Sequence, residues 1–146
     1  MGTYSSILLA VDFHPENREV AAKAKALAES QAASLRLVHV MEPVSIAYGG
    51  EFPLDLGELH REMEKQAREQ LDALASELGV PDQRRHLEIG ITEREILRLA
   101  KDTGIDLIVV GSHGRHGLSL LLGSTANSIL HHAPCDVLAV RLHKKP

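Results

Sequence analysis

The sequence predicts an α/β fold, a single Rossmann-like domain whose open sheet of five parallel strands carries four helices on its two faces. Short uninterrupted apolar runs recur along the 146 residues, and such runs are typical of strands buried on both faces. Segments with apolar residues at three- and four-residue steps alternate with these runs, as in amphipathic helices. Because no internal repeat, low-complexity tract or linker interrupts the pattern, we expect one domain over residues 1–146.

The first half of the chain contains its elements in the order strand, helix, strand, loop and helix. Residues 7–11 are the first apolar run, and Pro15 fits the first turn of the helix that follows. Residues 35–40 predict the second strand. Two prolines and two glycines without helical spacing make 41–54 a loop. A longer helix then covers 55–78, where leucines recur at helical spacing until a glycine and a proline stop it.

The second half continues the alternation with three more strands and two more helices. Residues 86–89 predict a weaker strand near a sheet edge. Thr92 and Glu95 have the spacing of a capping box at the start of the next helix, which Gly104 ends. The remaining elements are a fourth strand at 107–110, a short helix from Ser124 or Thr125 to about His132, and a fifth strand at 137–140.

Composition narrows the choice of partners and location. The net charge of −4 argues against a protein that coats duplex nucleic acid or an anionic membrane. With two Tyr, two Phe and no Trp, the chain also lacks a surface on which single-stranded nucleic acids stack. One cysteine excludes an internal disulfide and a multi-cysteine zinc site. The first residues lack a signal peptide's basic region and no apolar stretch is long enough to span a bilayer, so we expect a cytoplasmic protein.

The charge is unevenly distributed along the chain. Residues 1–106 carry 19 acids and 12 bases, whereas residues 107–146 carry one acid and four bases. The 29 residues between Asp106 and Asp136 contain no carboxylate. Two interpretations of this run stay open: a buried strand and a helix that simply lack charges, or a region that is free of carboxylates because it holds an anion.

Two predicted strand ends carry residues suited to a ligand site. Asp12 follows the first strand, and Gly111-Ser112-His113-Gly114 follows the fourth. Ligands of open parallel sheets bind beyond the carboxyl ends of the strands, where the strand order reverses. If the first and fourth strands are neighbours, these residues face one crevice. Asp12 has a second interpretation, as a strand-end carboxylate that caps the helix after it.

The loop after the fourth strand is rich in glycine. Four of the chain's 11 glycines, at positions 111, 114, 117 and 123, fall within 13 residues. Glycine lets backbone N–H groups approach a ligand closely, and the helix that begins after Gly123 offers free N–H groups and the hydroxyls of Ser124 and Thr125 to a phosphate. Arg115 adds a permanent cation and His113 a further donor. The alternative is an ordinary surface loop with Ser124 as the helix cap.

Familiar motifs of other chemistries are missing. The loop lacks the lysine of a P-loop, its glycines are spaced G-x-x-G-x-x-G rather than G-x-G-x-x-G, and no G-x-S-x-G nucleophile elbow occurs. The signatures of adenylyl-transferring synthetases and ATP pyrophosphatases are absent as well. The nine histidines are not joined by acids or cysteines at metal-ligand spacing. A carboxylate such as that of Asp12 suits a hard cation such as Mg²⁺ better than a transition metal.

Together these segments resemble the universal stress protein family over essentially the whole chain. The resemblance rests on residues 7–12, 37–40, 106–114, 123–125 and 137–140. It implies the strand order 3-2-1-4-5 and a homodimer, often joined through the last strand, which here runs from Asp136 to Arg141. It also implies a stress-response protein that signals through its conformation or an unidentified protein partner. Because the sequence positions no general base, we expect at most slow hydrolysis of ATP.

Nucleotide-binding members of this family hold ATP with the motif G-x2-G-x9-G-[ST]. The resemblance implies that Asp12 contacts the ribose or a phosphate-bound Mg²⁺ or Mn²⁺, and that Val40 holds the adenine edge. It further implies that the first two glycines of the motif line the ribose and phosphates, and that the last glycine and the two hydroxyl residues after it hold the phosphates. The full set of nucleotide-binding residues implied is Ala10, Val11, Asp12, Val40, Gly111, Ser112, His113, Gly114, Arg115, Gly123, Ser124 and Thr125.

The chain departs from that motif at one place. Eight residues, 115–122, separate Gly114 from Gly123, where the motif has nine. A branch of the family that does not bind ATP has a similarly shortened loop, although its members tend to lose the glycines that this chain keeps. Two functions therefore stay open: an ATP-binding regulator, and a protein-interaction module of the same fold that does not hold phosphates.

Overall fold

Five parallel strands form one sheet in the order β3-β2-β1-β4-β5. The structure is a computed structural model, and it describes residues 2–43, 57–112 and 124–141. The strands are β1 Ser6–Ala10, β2 Ser34–Met41, β3 Arg85–Ile89, β4 Leu107–Gly111 and β5 Asp136–Val140. The α-helices of the described residues are α1 Arg18–Gln31, α2 Gly57–Leu78, α3 Thr92–Asp102 and α4 Ser124–His132. Short 3-10 turns, Pro15–Asn17 and Asp82–Arg84, precede α1 and β3.

The strand pairing confirms the predicted fold class and strand order. The central strand β1 pairs in parallel with β2 on one side and with β4 on the other, so that Ile7 lies opposite both Leu35 and Leu107. The strands β3 and β5 form the two edges of the sheet. Within the described residues, none of the helices is long and apolar enough to cross a membrane.

Helices cover both faces of the sheet, as the amphipathic spacing predicts. On one face, Leu9 and Leu37 pack against Leu71 of α2 and the small residues of α1. On the other face, Leu8 and Ile108 pack against residues of α3 and α4. Because residues of a strand point alternately to the two faces, continuous apolar runs fill both layers at once.

The ends of the helices follow the sequence signals in two cases and depart from them in a third. Gly79 after α2 and Gly104 after α3 adopt the left-handed conformation, with φ of 71° and 66°. These are the predicted glycine stops. Ala32 ends α1 in the same conformation, with φ of 54°, although alanine gives no such signal. Most of the predicted loop 41–54 and the start of the helix at Asp55 lie outside the described residues, and Met41 itself belongs to β2.

The predicted capping box at the start of α3 is wrong. Ile91 occupies the cap position and Thr92 is the first helical residue. The hydroxyl of Thr92 donates to Glu42 Oε1 at 3.2 Å, and Glu95 accepts a hydrogen bond from Arg98 instead of reaching back to the cap. A carboxylate from the end of β2 thus takes over the role that the local spacing suggested for Glu95, because the parallel sheet brings it to the same edge.

Candidate functional site

The order of the strands brings the two predicted strand ends together. Since β1 and β4 are neighbours, Asp12 after β1 and Ser112 after β4 leave the sheet at the same edge. This is also the place where the chain changes direction across the sheet, because β2 and β3 lie on one side of β1 and β4 and β5 on the other. Such a reversal point opens a crevice in which ligands of parallel sheets bind.

Asp12 is part of a local turn and does not cap α1. Its Oδ1 accepts a hydrogen bond from the backbone N–H of His14 at 3.0 Å, which is an Asx-turn. The residue at the cap position of α1 is Asn17, and its side chain makes no capping bond. The capping interpretation of Asp12 is therefore wrong, and the carboxylate stands half-buried at the carboxyl edge with only one of its oxygens used by the turn.

The end of β1 is tied to β2 by both polar groups of Val11. Its N–H donates to the carbonyl of Val38 at 2.7 Å, and its carbonyl lies 2.9 Å from Nδ1 of His39. His39 is buried, as is Val40 next to it, and the ring of Phe13 packs on the imidazole with 4.3 Å between centroids. Ala10, the last residue of β1, packs on the opposite face, against the layer formed by α3 and α4.

The start of the glycine-rich loop is anchored to the neighbouring strand. Gly111 is the last residue of β4, and the buried Ser112 donates its N–H to the carbonyl of Val140 at 2.8 Å. His113, Gly114, Arg115 and Gly123 lie outside the described residues, so the effect of the shortened Gly114–Gly123 spacing stays a prediction.

The helix that the sequence places after the loop is present. Ser124 and Thr125 are the first two residues of α4, with Ser124 exposed and Thr125 half-buried. Because α4 follows β4 and leads into the parallel strand β5, its N-terminus lies at the carboxyl edge of the sheet. A helix N-terminus presents free N–H groups and partial positive charge to an anion.

The described residues do not enclose a nucleotide by themselves. Ala10, Val11 and Asp12, together with Asn17 and residues of α1 and α2, line a cavity of about 10 Å³, which has room for one water molecule. Among the same residues, no group of three potential metal ligands occurs. Within the described residues, the cavity at this edge is therefore far too small for a nucleotide.

Sequence reasoning missed His39 as part of this edge. The signal was present, because a histidine interrupts the apolar run of β2 two residues before its end. A titratable side chain within a buried strand needs a hydrogen-bond partner, and here the partner is the carbonyl that precedes Asp12.

Comparison with known proteins gives one consistent family. A model described as the universal stress protein family matches residues 3–141. Universal stress protein A homolog 1 of Coxiella burnetii is 46% identical over 138 residues, which cover 94% of this chain and 96% of that protein. Homolog 2 from the same organism is 40% identical over 144 residues, covering 97% of this chain and 98% of its own.

Solved structures agree with the fold. The structure of hypothetical protein MJ0577 has a TM-score of 0.82 at 28% identity and covers 97% of this chain and 99% of its own. The universal stress protein UspA from Lactobacillus plantarum has a TM-score of 0.74 at 23% identity, with 97% and 100% covered.

Proposed function

Because the chain belongs to the universal stress protein family, we propose that it is an ATP-binding regulator of the stress response that acts as a homodimer. ATP, with Mg²⁺ or Mn²⁺, binds at the carboxyl edge between β1 and β4. The domain of residues 1–146 is the functional unit, and it signals through its conformation or a protein partner.

The observation that carries this proposal is the adjacency of β1 and β4. It sets Asp12, Gly111-Ser112 and the N-terminus of α4 along one edge, although they are far apart in the sequence. A carboxylate suits a ribose hydroxyl or a phosphate-bound divalent cation, and a helix N-terminus suits a phosphate. β4 and α4 also lie within the run without carboxylates, so neither element places a negative charge that would repel an anion at this edge.

Each predicted residue has a role in this arrangement. Asp12 contacts the ribose or the cation, and the backbone of Val40 holds the adenine edge, with Ala10 and Val11 beside it. On the other side of the crevice, Ser124 and Thr125 hold the phosphates from the start of α4. The residues of the intervening loop complete the set by their place in the family motif, namely Gly111, Ser112, His113, Gly114, Arg115 and Gly123.

The proposal is tested by nucleotide binding to protein stripped of any co-purified ligand. Thermal unfolding is followed with ATP and Mg²⁺, with ATP alone, and with GTP and cAMP as competitors. ATP at 100 times its dissociation constant adds about 2.7 kcal/mol to the free energy of unfolding. A universal stress protein of the same fold, 22% identical, has been solved in complex with cAMP, which makes cAMP an informative competitor.

Two glycine variants separate the proposal from the interaction module. Gly114→Val and Gly123→Val are expected to abolish the response to ATP, because a side chain at a glycine that approaches a phosphate excludes the ligand. Wild-type protein that dimerises normally but shows no melting response at millimolar ATP and Mg²⁺ overturns the ATP proposal. That result favours a protein-interaction module whose shortened loop does not hold phosphates.

Hydrolysis of ATP is proposed to be slow or incidental. Efficient hydrolysis needs a general base within hydrogen-bond reach of the attacking water. Asp12, the carboxylate proposed here for the nucleotide, already accepts the N–H of His14 and is assigned to the ribose or cation. Release of phosphate at no more than a few turnovers per hour is the expected result of an ATPase assay, against a median enzyme turnover of about 10 per second.

The proposed dimer interface is the open edge at β5. β5 pairs with β4 on one side and forms an edge of the sheet on the other, where its backbone N–H and C=O groups have no strand partner among the described residues. The side chain of Leu138 on this strand is 39% exposed. Pairing of two such edges across a two-fold axis satisfies those groups and buries the leucine.

Light scattering with an edge variant tests this interface. Val140 accepts the Ser112 N–H and so faces β4, which leaves the backbone groups of Ala139 on the outer edge. Ala139→Pro removes an outward donor and is expected to give a monomer, whereas Ala139→Ser keeps that donor and is expected to stay dimeric. An Ala139→Pro protein that is folded and dimeric places the interface elsewhere.

A further inference from the structure

His39 is a buried polar residue in a strand that is otherwise apolar near its end. Only 8% of its surface is exposed. In β2, Leu35 and Leu37 belong to the core layer beneath α1 and α2, and Val38 and Val40 to the opposite layer. By this alternation the imidazole of His39 lies on the α1 and α2 side, where Val11 and Phe13 also pack.

The hydrogen bond from His39 to Val11 determines which ring nitrogen carries a proton. A carbonyl oxygen only accepts, so the Nδ1 that lies 2.9 Å from the Val11 carbonyl must carry the proton. The backbone N–H of Val11 is held as well, because it donates to the carbonyl of Val38 at 2.7 Å. Val11 is thus fixed to β2 through both of its polar groups, one residue beyond the end of β1.

This side-chain bond replaces the next bond of the strand ladder. In a parallel pair whose ladder continued past Val11 N–Val38 O, the Val11 carbonyl would accept from the N–H two residues further along β2, which belongs to Val40. Among the described residues, no backbone hydrogen bond joins the Val40 N–H to that carbonyl. His39 therefore ends the β1–β2 ladder and spares the amide of Val40 that this pairing would otherwise consume.

His39 also holds both neighbours of Asp12. Val11 on one side is bonded through its carbonyl, and Phe13 on the other side packs its ring on the imidazole at 4.3 Å between centroids and 40° between planes. Asp12 between them closes its own turn by accepting the His14 N–H. One buried side chain thus sets the position of the turn that presents the carboxylate.

We infer that His39 is a positioning residue of the nucleotide site: by capping the Val11 carbonyl and packing on Phe13, it fixes the Asp12 turn and leaves the Val40 amide to the nucleobase. The inference rests on the proposed function. His39 acts through these neighbours, and it is assigned no direct contact with ATP.

The test compares three variants at this position. His39→Asn places an amide donor near the position of Nδ1 and keeps the bond to Val11, whereas His39→Leu removes it. The amide of His39→Gln lies near the position of Nε2, so this variant loses the bond to Val11 but keeps a polar side chain. It replaces His39→Leu in the comparison if the leucine variant does not fold. Two quantities are measured: the dissociation constant of MgATP, and the hydrogen-exchange rate of the His14 amide in the ligand-free protein, which reports the Asp12 turn.

The expected result is a loss of about tenfold in MgATP affinity for His39→Leu and His39→Gln, as for one lost hydrogen bond. The His14 amide exchanges faster in both, and His39→Asn restores both quantities to within about threefold of the wild type. Val80→Ala, which opens the core at the other end of the sheet, is the control for general destabilisation and is expected to leave MgATP affinity unchanged.

Three results overturn the inference. The first is MgATP binding at wild-type affinity by the variants His39→Leu and His39→Gln. The second is a Val80→Ala protein whose MgATP affinity falls as much as theirs. An unchanged His14 exchange rate in folded His39→Leu or His39→Gln protein contradicts the mechanism even if affinity falls. Failure of the proposed function itself is told apart, because wild-type protein then shows no MgATP binding in the first titration.

Discussion

At the amino end of the sheet, side chains from distant segments join the strand starts to each other, whereas at the carboxyl end the carboxylate of Asp12 bonds within its own loop. Asp106, just before β4, accepts the N–H groups of Ser5 and Ser6 at 2.8 and 3.0 Å. Tyr4 donates its hydroxyl to Asp136 at 2.7 Å. The acidic side chains at the amino end therefore form long-range bonds, and the one at the carboxyl end forms a local bond.

The difference separates a carboxylate that joins strand starts from one that the proposed function assigns to a ligand. Burial raises the pKa of Asp106, but the hydrogen bonds from Ser5 and Ser6 outweigh it and hold this pKa below its ordinary value. A carboxylate whose ionised form is so well bonded stabilises the fold. Among the described residues, Asp12 accepts one hydrogen bond, from the His14 amide, and the proposed function assigns its other oxygen to the ligand.

The largest expected effect is on ligand binding at the carboxyl end. Asp12→Ala is expected to weaken MgATP binding about 100-fold, or by about 2.8 kcal/mol, because it removes the charge that is proposed to face the ribose or cation. Titration calorimetry measures the affinity and thermal unfolding the stability. Asp12→Asn is the matched control, since its amide oxygen still accepts the His14 N–H and only the charge is lost. An alanine variant that binds MgATP within threefold of the wild type contradicts the proposed ligand-binding role of Asp12.

The next effect is on stability at the amino end. Asp106→Ala is expected to lower the free energy of unfolding by about 1–2 kcal/mol, because three hydrogen-bond donors of Ser5 and Ser6 lose a charged acceptor and turn to water. MgATP affinity stays unchanged. Asp102→Ala is the control, because among the described residues that exposed carboxylate contacts Arg98 alone, in an exposed ion pair.

The pH dependence of the free energy of unfolding tests the same prediction. The folded-state pKa of Asp106 is lowered, so its stabilisation is complete above the ordinary carboxyl pKa and is lost as the pH falls through the folded value. Denaturant titrations at descending pH are expected to show the wild type and Asp106→Ala converging in acid. Curves that stay parallel contradict the assignment.

A smaller, opposite effect is expected where α1 ends at the amino side. Ala32 has φ of 54°, and Ala32→Gly relieves a left-handed alanine, which raises the free energy of unfolding by about 1 kcal/mol. Ala33→Gly, at a neighbour without positive φ, is expected to destabilise slightly instead. Chemical denaturation of both variants distinguishes relief of strain from a general effect of glycine.

The smallest effect concerns His86 at the start of β3. Burial and the nearby Arg36 guanidinium lower the pKa of His86, and Arg36 donates to its Nε2 at 3.1 Å. The neutral ring stabilises the fold fully above the ordinary histidine pKa, and this contribution is lost as the pH falls through the lowered folded value. His86→Gln keeps an acceptor for Arg36 and is expected to flatten the pH dependence of the unfolding midpoint in that window. An identical pH dependence in the two proteins contradicts this.

Much of the fold was predictable because its signals are local. Apolar runs such as the one in β4 mark strands buried on both faces, and Gly79 and Gly104 mark helix ends through their backbone freedom. The predicted sheet, its strand order and its helices on both faces are confirmed. The capping box failed because Glu42, 50 residues before Thr92, competes with the local partner Glu95.

The candidate site was predictable in its residue types but not in its internal contacts. The sequence singles out Asp12 and Gly111 as strand ends, yet it does not show that Asp12 turns back to His14. It also gives no sign that His39, 28 residues after Val11, takes the carbonyl in front of Asp12. A histidine in an apolar strand indicates that a hydrogen-bond partner is needed, but the sequence does not identify that partner.

The sequence by itself determined which segments become strands and helices, where helices end at glycine, and which family the chain resembles. Those properties depend on backbone preferences and on spacing along the chain. Only the tertiary structure decided that Asp106 bonds to Ser5, 101 residues away, and that the ends of β1 and β4 share one edge. Such contacts depend on the order and register of strands in space, which arise from packing of the whole sheet between its two helical layers.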